Sequence, residues 1–284
     1  MSDLSPPLPA PRRDPPTLQA ADATTDASDA AIVVPPAPAP ATPGPSGDVA
    51  SGPPGWQQWA RRAALTLAAL LLLPYALTLV YAVVPPPASA LMLEHWLTGR
   101  AASRDWTPIE RISPHLVRSV VVSEDARFCA HWGVDWDAIA DAVRRAERRH
   151  RPVAGVSTIS MQTAKNLYFL SGRSWLRKGL ELPLAYWTDL VWSKSRMLEI
   201  YLNIAEWGPG IFGAEAAARH HFNKPAAALT AREAALLATA LPNPILRLAN
   251  RPSSRHRALA AIIERRARGA DPYVGCLPAA RVSP

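Results

Sequence analysis

The longest apolar stretch of the chain runs from Ala63 to Val84, AALTLAALLLLPYALTLVYAVV, about 22 residues without a charge. It is long enough to cross a bilayer once as a helix. Beyond it, apolar positions recur at three- and four-residue spacing, the period of amphipathic helices. Ser113 and Pro114 form an N-cap and first helical position, opening a helix on which Val117, Val121, Glu124 and Phe128 share a face. Asp135 caps a helix carrying Trp136, Ile139 and Val143, and Ser157 caps another that continues through Leu170. Ser174 opens a further helix, which Pro183 is expected to kink or end. Ser193 starts a helix with Met197, Leu198, Tyr201, Leu202 and Ala205 inward, stopped by Gly208-Pro209-Gly210. A helical turn follows around Ala214 to Phe222, and Thr230 with Glu233 spells a capping box for Ala234 to Leu241. A last basic helix spans roughly Ser254 to Arg268. No strand run of convincing length, internal repeat or heptad array interrupts the pattern, so the expected fold class is mainly α.

Composition divides the chain. Residues 1–55 alternate proline with Ala, Ser, Thr and Gly and contain no aromatic residue. Such a segment buries too little apolar surface to offset its ordering entropy, so it is expected to be disordered. It holds two arginines against six aspartates, about −4, which leaves about +12 on the remainder of a chain whose net charge is +8. A basic domain favours anionic partners, although a solvated basic surface with no specific partner is the commoner origin of such charge. Arg61 and Arg62 flank the apolar run on its N-terminal side, and no Lys or Arg follows until Arg100. The positive-inside rule then places the N-terminus in the cytoplasm and the folded part outside. Trp56, Trp59, Tyr75 and Tyr81 suit interfacial positions. The expected organisation is a tail over 1–55, a membrane helix with its flank over 56–84, a linker over 85–108 and a folded domain over 109–284. Cys129 and Cys276 are free to pair in an oxidising compartment, but nothing in their spacing places them within reach.

Candidate chemistry begins with Glu124, a carboxylate on an apolar helical face. Low-dielectric surroundings raise the pKa of such a group toward the range where it takes up a proton. The alternative is a buried glutamate held in an ion pair with Arg118 or Arg127. Asp135-Trp136-Asp137 has the form of a D-x-D metal motif, but a cap followed by a first-turn acid explains it more simply. Gly155-Val156-Ser157 lacks the closing glycine of a nucleophile elbow. On the next helix Thr158, Met161, Gln162, Lys165 and Tyr168 share one face and Ile159, Thr163, Asn166, Leu167 and Leu170 the other. Arg177 and Glu181 read most simply as an i,i+4 surface pair in the less favourable order. The arginines of 144–151 are expected to face solvent.

Four motifs then occur in order: Glu124-Asp125-x-x-Phe128-x-x-His131-x-Gly133, Gly155-x-Ser157-Thr158-Ile159-x-x-Gln162, Arg177-Lys178-x-x-Glu181, and Arg196-Met197-Leu198-Glu199-x-Tyr201-Leu202-Asn203. Together, over about Ile109 to Pro244, they resemble the peptidoglycan glycosyltransferases of glycosyltransferase family 51. The Ser-x-x-Lys, Ser-x-Asn and Lys-Thr-Gly signatures of a transpeptidase do not occur, so the likeness is to monofunctional members. Met161 stands where many members carry a second Gln.

The resemblance implies a mainly α-helical, lysozyme-like domain after one membrane helix. It implies polymerisation of lipid II onto a growing lipid-linked glycan, with inversion and loss of undecaprenyl pyrophosphate. Glu124 would be the general base, and Lys165, Arg177 and Lys178 would hold the pyrophosphate. Glu181 would be the second catalytic glutamate, orienting those cations or helping to hold a divalent cation, Mg or Mn; no other cofactor is implied. Ser157, Thr158 and Gln162 would line the donor cleft. The apolar flank Leu167 to Trp187 would dip into the bilayer of a bacterial inner membrane, with the catalytic domain periplasmic. Implied partners are the lipid-linked glycans, the membrane and cell-wall synthesis or division proteins, but not nucleic acid. Two rivals are a lysozyme-like lytic enzyme, which needs no pyrophosphate-binding cations, and an inactive membrane-anchored scaffold, which leaves Glu124 unexplained.

Overall fold

The computed structural model describes residues 55–281 except Arg151, Ala154 and Arg173, and of Trp175 the backbone alone. Nearly all of the expected tail therefore lies outside the described residues, as do Arg151 and Arg173. The apolar run is one helix, α1 (Gly55–Tyr81), with Pro74 inside it. Its last turns rest on the domain. Trp187 Nε1 donates to the Tyr75 carbonyl at 3.1 Å, Trp192 Nε1 to Thr78 at 2.8 Å and Arg196 Nε to Tyr81 at 3.0 Å. The last of these carbonyls, Tyr81, ends the helix and has no intrahelical donor, and there a guanidinium also complements the dipole.

The segment 85–108, expected as a linker, is folded. It holds α2 (Ala90–Leu97), capped by Ser89, and β1 (Ser103–Arg104). Met92 and His95 are buried there. The remaining helices are α3 (Pro114–Glu124), α4 (Trp136–Arg149), α5 (Ile159–Tyr168), α6 (Trp175–Val191), α7 (Lys194–Ile204), α8 (Ala214–Phe222), α9 (Ala231–Ala240) and α10 (Ser254–Arg268). β2 (Glu206–Gly208) pairs antiparallel with β3 (Ile211–Phe212), and β3 pairs parallel with β1. These strands of two and three residues are too short to leave an alternation in the sequence.

The core has α3 at its centre, packed on α9 and α10, while α5 packs on α6 and α7. Every residue of α3 from Leu116 to Val122 is buried, Arg118 and Ser119 included, so this helix is enclosed on all sides instead of amphipathic. It stops at Glu124, and Phe128 belongs to the following turn rather than to the same helical face. The N-cap of α5 is Thr158, one residue later than expected, and α5 ends at Tyr168 instead of Leu170. Helix α6 continues through Pro183. The proline and Gly179, whose carbonyl it leaves without a donor, are both exposed, so water can serve that carbonyl. The arginines of α4 do face solvent. Cys129 and Cys276 form a disulfide, with Cα atoms 5.7 Å apart, closing a 147-residue separation between the turn after α3 and the segment after α10.

Gly133 fixes the approach of that turn to α6. Its φ is +66°, and a Cβ built there would lie 2.8 Å from the Ala185 carbonyl oxygen. Strain at positive φ alone costs about 1–3 kcal/mol. Gly133→Ala is therefore expected to lower the melting temperature by roughly 5–10 °C; unaltered melting would mean that the turn is not seated against α6.

Candidate active site

Glu124 ends α3 half-buried, and neither arginine offered as its partner reaches it. Arg118 spends its guanidinium on the carbonyls of Ala267, Arg268 and Ala280 and on Asp271, while Arg127 pairs with Asp135 and Asp137. The Glu124 carboxylate instead accepts from Gln162 Nε2 at 3.1 Å and weakly from Ser123 Oγ at 3.4 Å. Gln162 is itself aimed, because its Oε1 accepts from the buried Tyr201 hydroxyl at 3.2 Å. Burial raises the Glu124 pKa above the ordinary carboxylate value. The bonds from Gln162 and Ser123 oppose the rise, neighbouring Asp125 adds to it, and Arg247 opposes it. The result is a carboxylate more basic than a solvated one, with a neutral amide holding its orientation.

Two buried aspartates set this geometry. Asp125 accepts from His131 Nε2, 3.0 Å from each oxygen, and from the Ile159 backbone N–H at 3.0 Å. It thus joins the end of α3 to the first turn of α5, where an anion meets the positive end of the helix dipole. Thr158 caps α5 through the Met161 N–H and donates to the Gly133 carbonyl at 2.5 Å. Asp189 of α6 accepts from the Gly133 N–H at 2.8 Å, from Lys194 Nζ at 2.9 Å and from Ser160 Oγ at 3.3 Å. Sequence reasoning missed Asp189. Its one signal was a lone acid at helical spacing within the apolar run from Leu182 to Trp192.

Glu124 lines a cleft of about 530 Å³ together with Ser157, Gln162, Lys165, Lys178 and Glu181. A smaller hollow of about 180 Å³ lies on the other side of Glu124 and is bounded by Arg127, Ser157 and Thr158 among others. Glu181 is only 1% exposed, which corrects the surface-pair reading. Its two oxygens lie 3.0 Å from Arg177 Nε and 3.2 Å from Lys178 Nζ. Lys165 stands at the rim. Partial desolvation lowers its pKa, Glu181 opposes this, and Arg177 and Lys178 add to the lowering. Arg177 faces an adjoining cavity of about 380 Å³ that it shares with Lys165. With Glu181 committed to cations and no cluster of three or more His, Cys, Asp or Glu among the described residues, the residues present do not fit a divalent ion held by protein alone. Met161 is buried at the cleft floor. The fourth motif is structural, with Asn203 bonding both backbone groups of Thr107 and Glu199 accepting from the Ile109 N–H.

The cleft thus brings a carboxyl with a raised pKa together with clustered cations. A family model described as Transglycosylase matches residues 91–267, and the chain belongs to that family of glycosyl-transferring enzymes. It is similar to the biosynthetic peptidoglycan transglycosylase of Agrobacterium fabrum, 57% identical over 219 residues, covering 77% of this chain and 96% of the relative. The protein of the same description from Rhodospirillum centenum is 53% identical over 207 residues, covering 72% and 89%. That from Brucella suis is 49% identical over 223 residues, covering 77% and 99%.

Because the native state raises the Glu124 pKa, it binds more protons than the unfolded chain between the two pKa values, so stability falls as pH rises through that window. A neutral amide removes this cost. Glu124→Gln is expected to lower glycosyl transfer by at least roughly 10²-fold while its melting temperature at neutral pH equals or exceeds that of the wild type. A large drop in melting temperature would instead make Glu124 a structural residue.

Proposed function

We propose that this peptidoglycan transglycosylase polymerises lipid II, with Glu124 as the general base. The 4-hydroxyl oxygen of an incoming lipid II bonds to the anomeric carbon of the growing chain as the bond from that carbon to the pyrophosphate oxygen breaks. The proton passes to Glu124, and the electron pair leaves with undecaprenyl pyrophosphate. Lys165, Arg177 and Lys178 receive the departing charge without having to reorganise. Glu181, held against two of those cations, orients them. Ser157 and Gln162 line the sugar-binding cleft, whereas Thr158 acts mainly by capping α5. The observation that carries the reading is the cleft in which Glu124 faces Lys165 and Lys178. A lytic enzyme has no use for those cations.

The anchor supports access to a lipid-linked substrate. From Ala63 to Pro74 is 12 residues, about 18 Å of helix against a hydrocarbon thickness of about 30 Å. The remaining apolar turns, Tyr75 to Tyr81, lie against α6 and α7. For the apolar run to span, the domain must sink into the membrane surface on that side. Leu176 and Leu190 of α6 are 75% and 68% exposed and suit that immersion. Phe169 and Trp187, expected from the sequence to make this contact, are half-buried in internal packing. The disulfide and the Arg61–Arg62 flank agree with a periplasmic domain and a cytoplasmic N-terminus on the inner membrane.

Incubation with labelled lipid II is expected to yield long glycan and released undecaprenyl pyrophosphate. Shortening of preformed glycan instead, or no reaction, would overturn the reading. Replacing Leu176 and Leu190 by Glu is expected to slow polymerisation of lipid II embedded in vesicles several-fold while sparing turnover in detergent. Equal rates in both settings would reject immersion through α6.

A further inference from the structure

Lys165 and Arg177 also border the second cavity, whose other walls include Leu91 of α2, Phe169, Leu170 and Ser171. The backbone of this wall, 169–172, is tied to α2 through Glu94. One Glu94 oxygen accepts the Ser171 backbone N–H at 2.6 Å, and the other accepts the Ser171 hydroxyl. One residue earlier, the Leu170 carbonyl accepts from Arg177 Nη1 at 3.2 Å. Arg177 Nε lies 3.0 Å from Glu181, without the alignment of a hydrogen bond. The guanidinium thus lies between the Glu181 carboxylate and the Leu170 carbonyl, and of the two only the carbonyl belongs to the segment that Glu94 holds. The bonds from Ser171 hold the Glu94 carboxyl below the ordinary carboxylate range, so it remains an ionised acceptor at neutral pH. Glu94 also accepts weakly from Arg100 Nη2 at 3.4 Å, on the oxygen that takes the Ser171 hydroxyl.

We propose that Glu94 is a positioning residue for glycosyl transfer: by latching Ser171 it fixes the Leu170 carbonyl and so aims Arg177 at the departing pyrophosphate. The role is indirect, since Glu94 touches neither substrate nor reacting atoms in this scheme. It links the short helix that follows the membrane exit to the leaving-group side of the cleft. The inference rests on the reading of Lys165, Arg177 and Lys178 as the pyrophosphate site.

The test is a double-mutant cycle on full-length protein in detergent, read as kcat/KM for lipid II. Glu94→Ala removes both charge-assisted hydrogen bonds to Ser171, along with the weak one from Arg100, and is expected to lower kcat/KM about tenfold, with melting temperature unchanged. In an Arg177→Ala background the same substitution is expected to cost less than about twofold, because the guanidinium it positions is gone. Ser171→Ala, which keeps the backbone N–H, is expected to have an intermediate effect, and Arg100→Ala none. Equal losses from Glu94→Ala with and without Arg177 would overturn the latch, as would no loss at all or an equal loss from Arg100→Ala. Wild-type protein that fails to polymerise lipid II would reject the underlying reading of the site, whereas active wild type with additive variants rejects only the role of Glu94.

Discussion

The arrangement depends on one buried anion. Asp125 receives His131 on one side and the Ile159 amide on the other, so the end of α3 and the first turn of α5 cannot move apart without taking a donor from a buried carboxylate. Leaving a buried acceptor without one of its donors typically costs about 1–3 kcal/mol. Because Glu124 precedes Asp125 in the chain and Gln162 and Lys165 lie one and two turns into α5, this bond fixes acid, amide and ammonium relative to one another. Asp189 repeats the device one layer away, drawing Gly133, Ser160 and Lys194 together.

The acidic groups of the site divide by environment. Asp125 and Asp189 are saturated with donors and hold the frame. Glu181 is equally buried but faces two cations, which suits it to orienting positive charge and not to moving a proton. Glu124 is desolvated, has a neutral amide as its principal partner and opens onto the cleft. That combination sets it apart from the other three acids and is what the proposed role as general base requires. The apolar helix is tied to the same frame: carbonyls in the last turns of α1 are bonded by Trp187, Trp192 and Arg196, so the end of α1 is held against the folded domain.

The helices were largely legible because their signals are local. Caps at Ser193 and Thr230, the glycine and prolines after α7, and the apolar run of α1 act within a few residues. The candidate site was legible chiefly through the family resemblance that the four motifs carry, and the structure brings Glu124, Gln162, Lys165, Lys178 and Glu181 to one cleft. What sequence reasoning missed depends on distant contacts. The burial of Glu181, the bond between Cys129 and Cys276, the folding of 85–108 against the core and the strand pairing of β1 with β3 all join residues far apart in the chain. That Pro183 does not end α6 was not legible, because tolerance of a proline in a helix depends on whether the freed carbonyl meets water, which no local pattern records.

The central claim is that the protein environment, and not the intrinsic chemistry of glutamate, makes Glu124 a base. The most direct measurement is a ¹³C NMR titration of the Glu124 side-chain carboxyl, its signal assigned by its absence from the spectrum of the Glu124→Gln variant. The account predicts a pKa above the ordinary value of about 4.3, moving higher still in Gln162→Leu, since the Gln162 amide favours the charged form. A pKa at or below that ordinary value, unmoved by loss of Gln162, would contradict it.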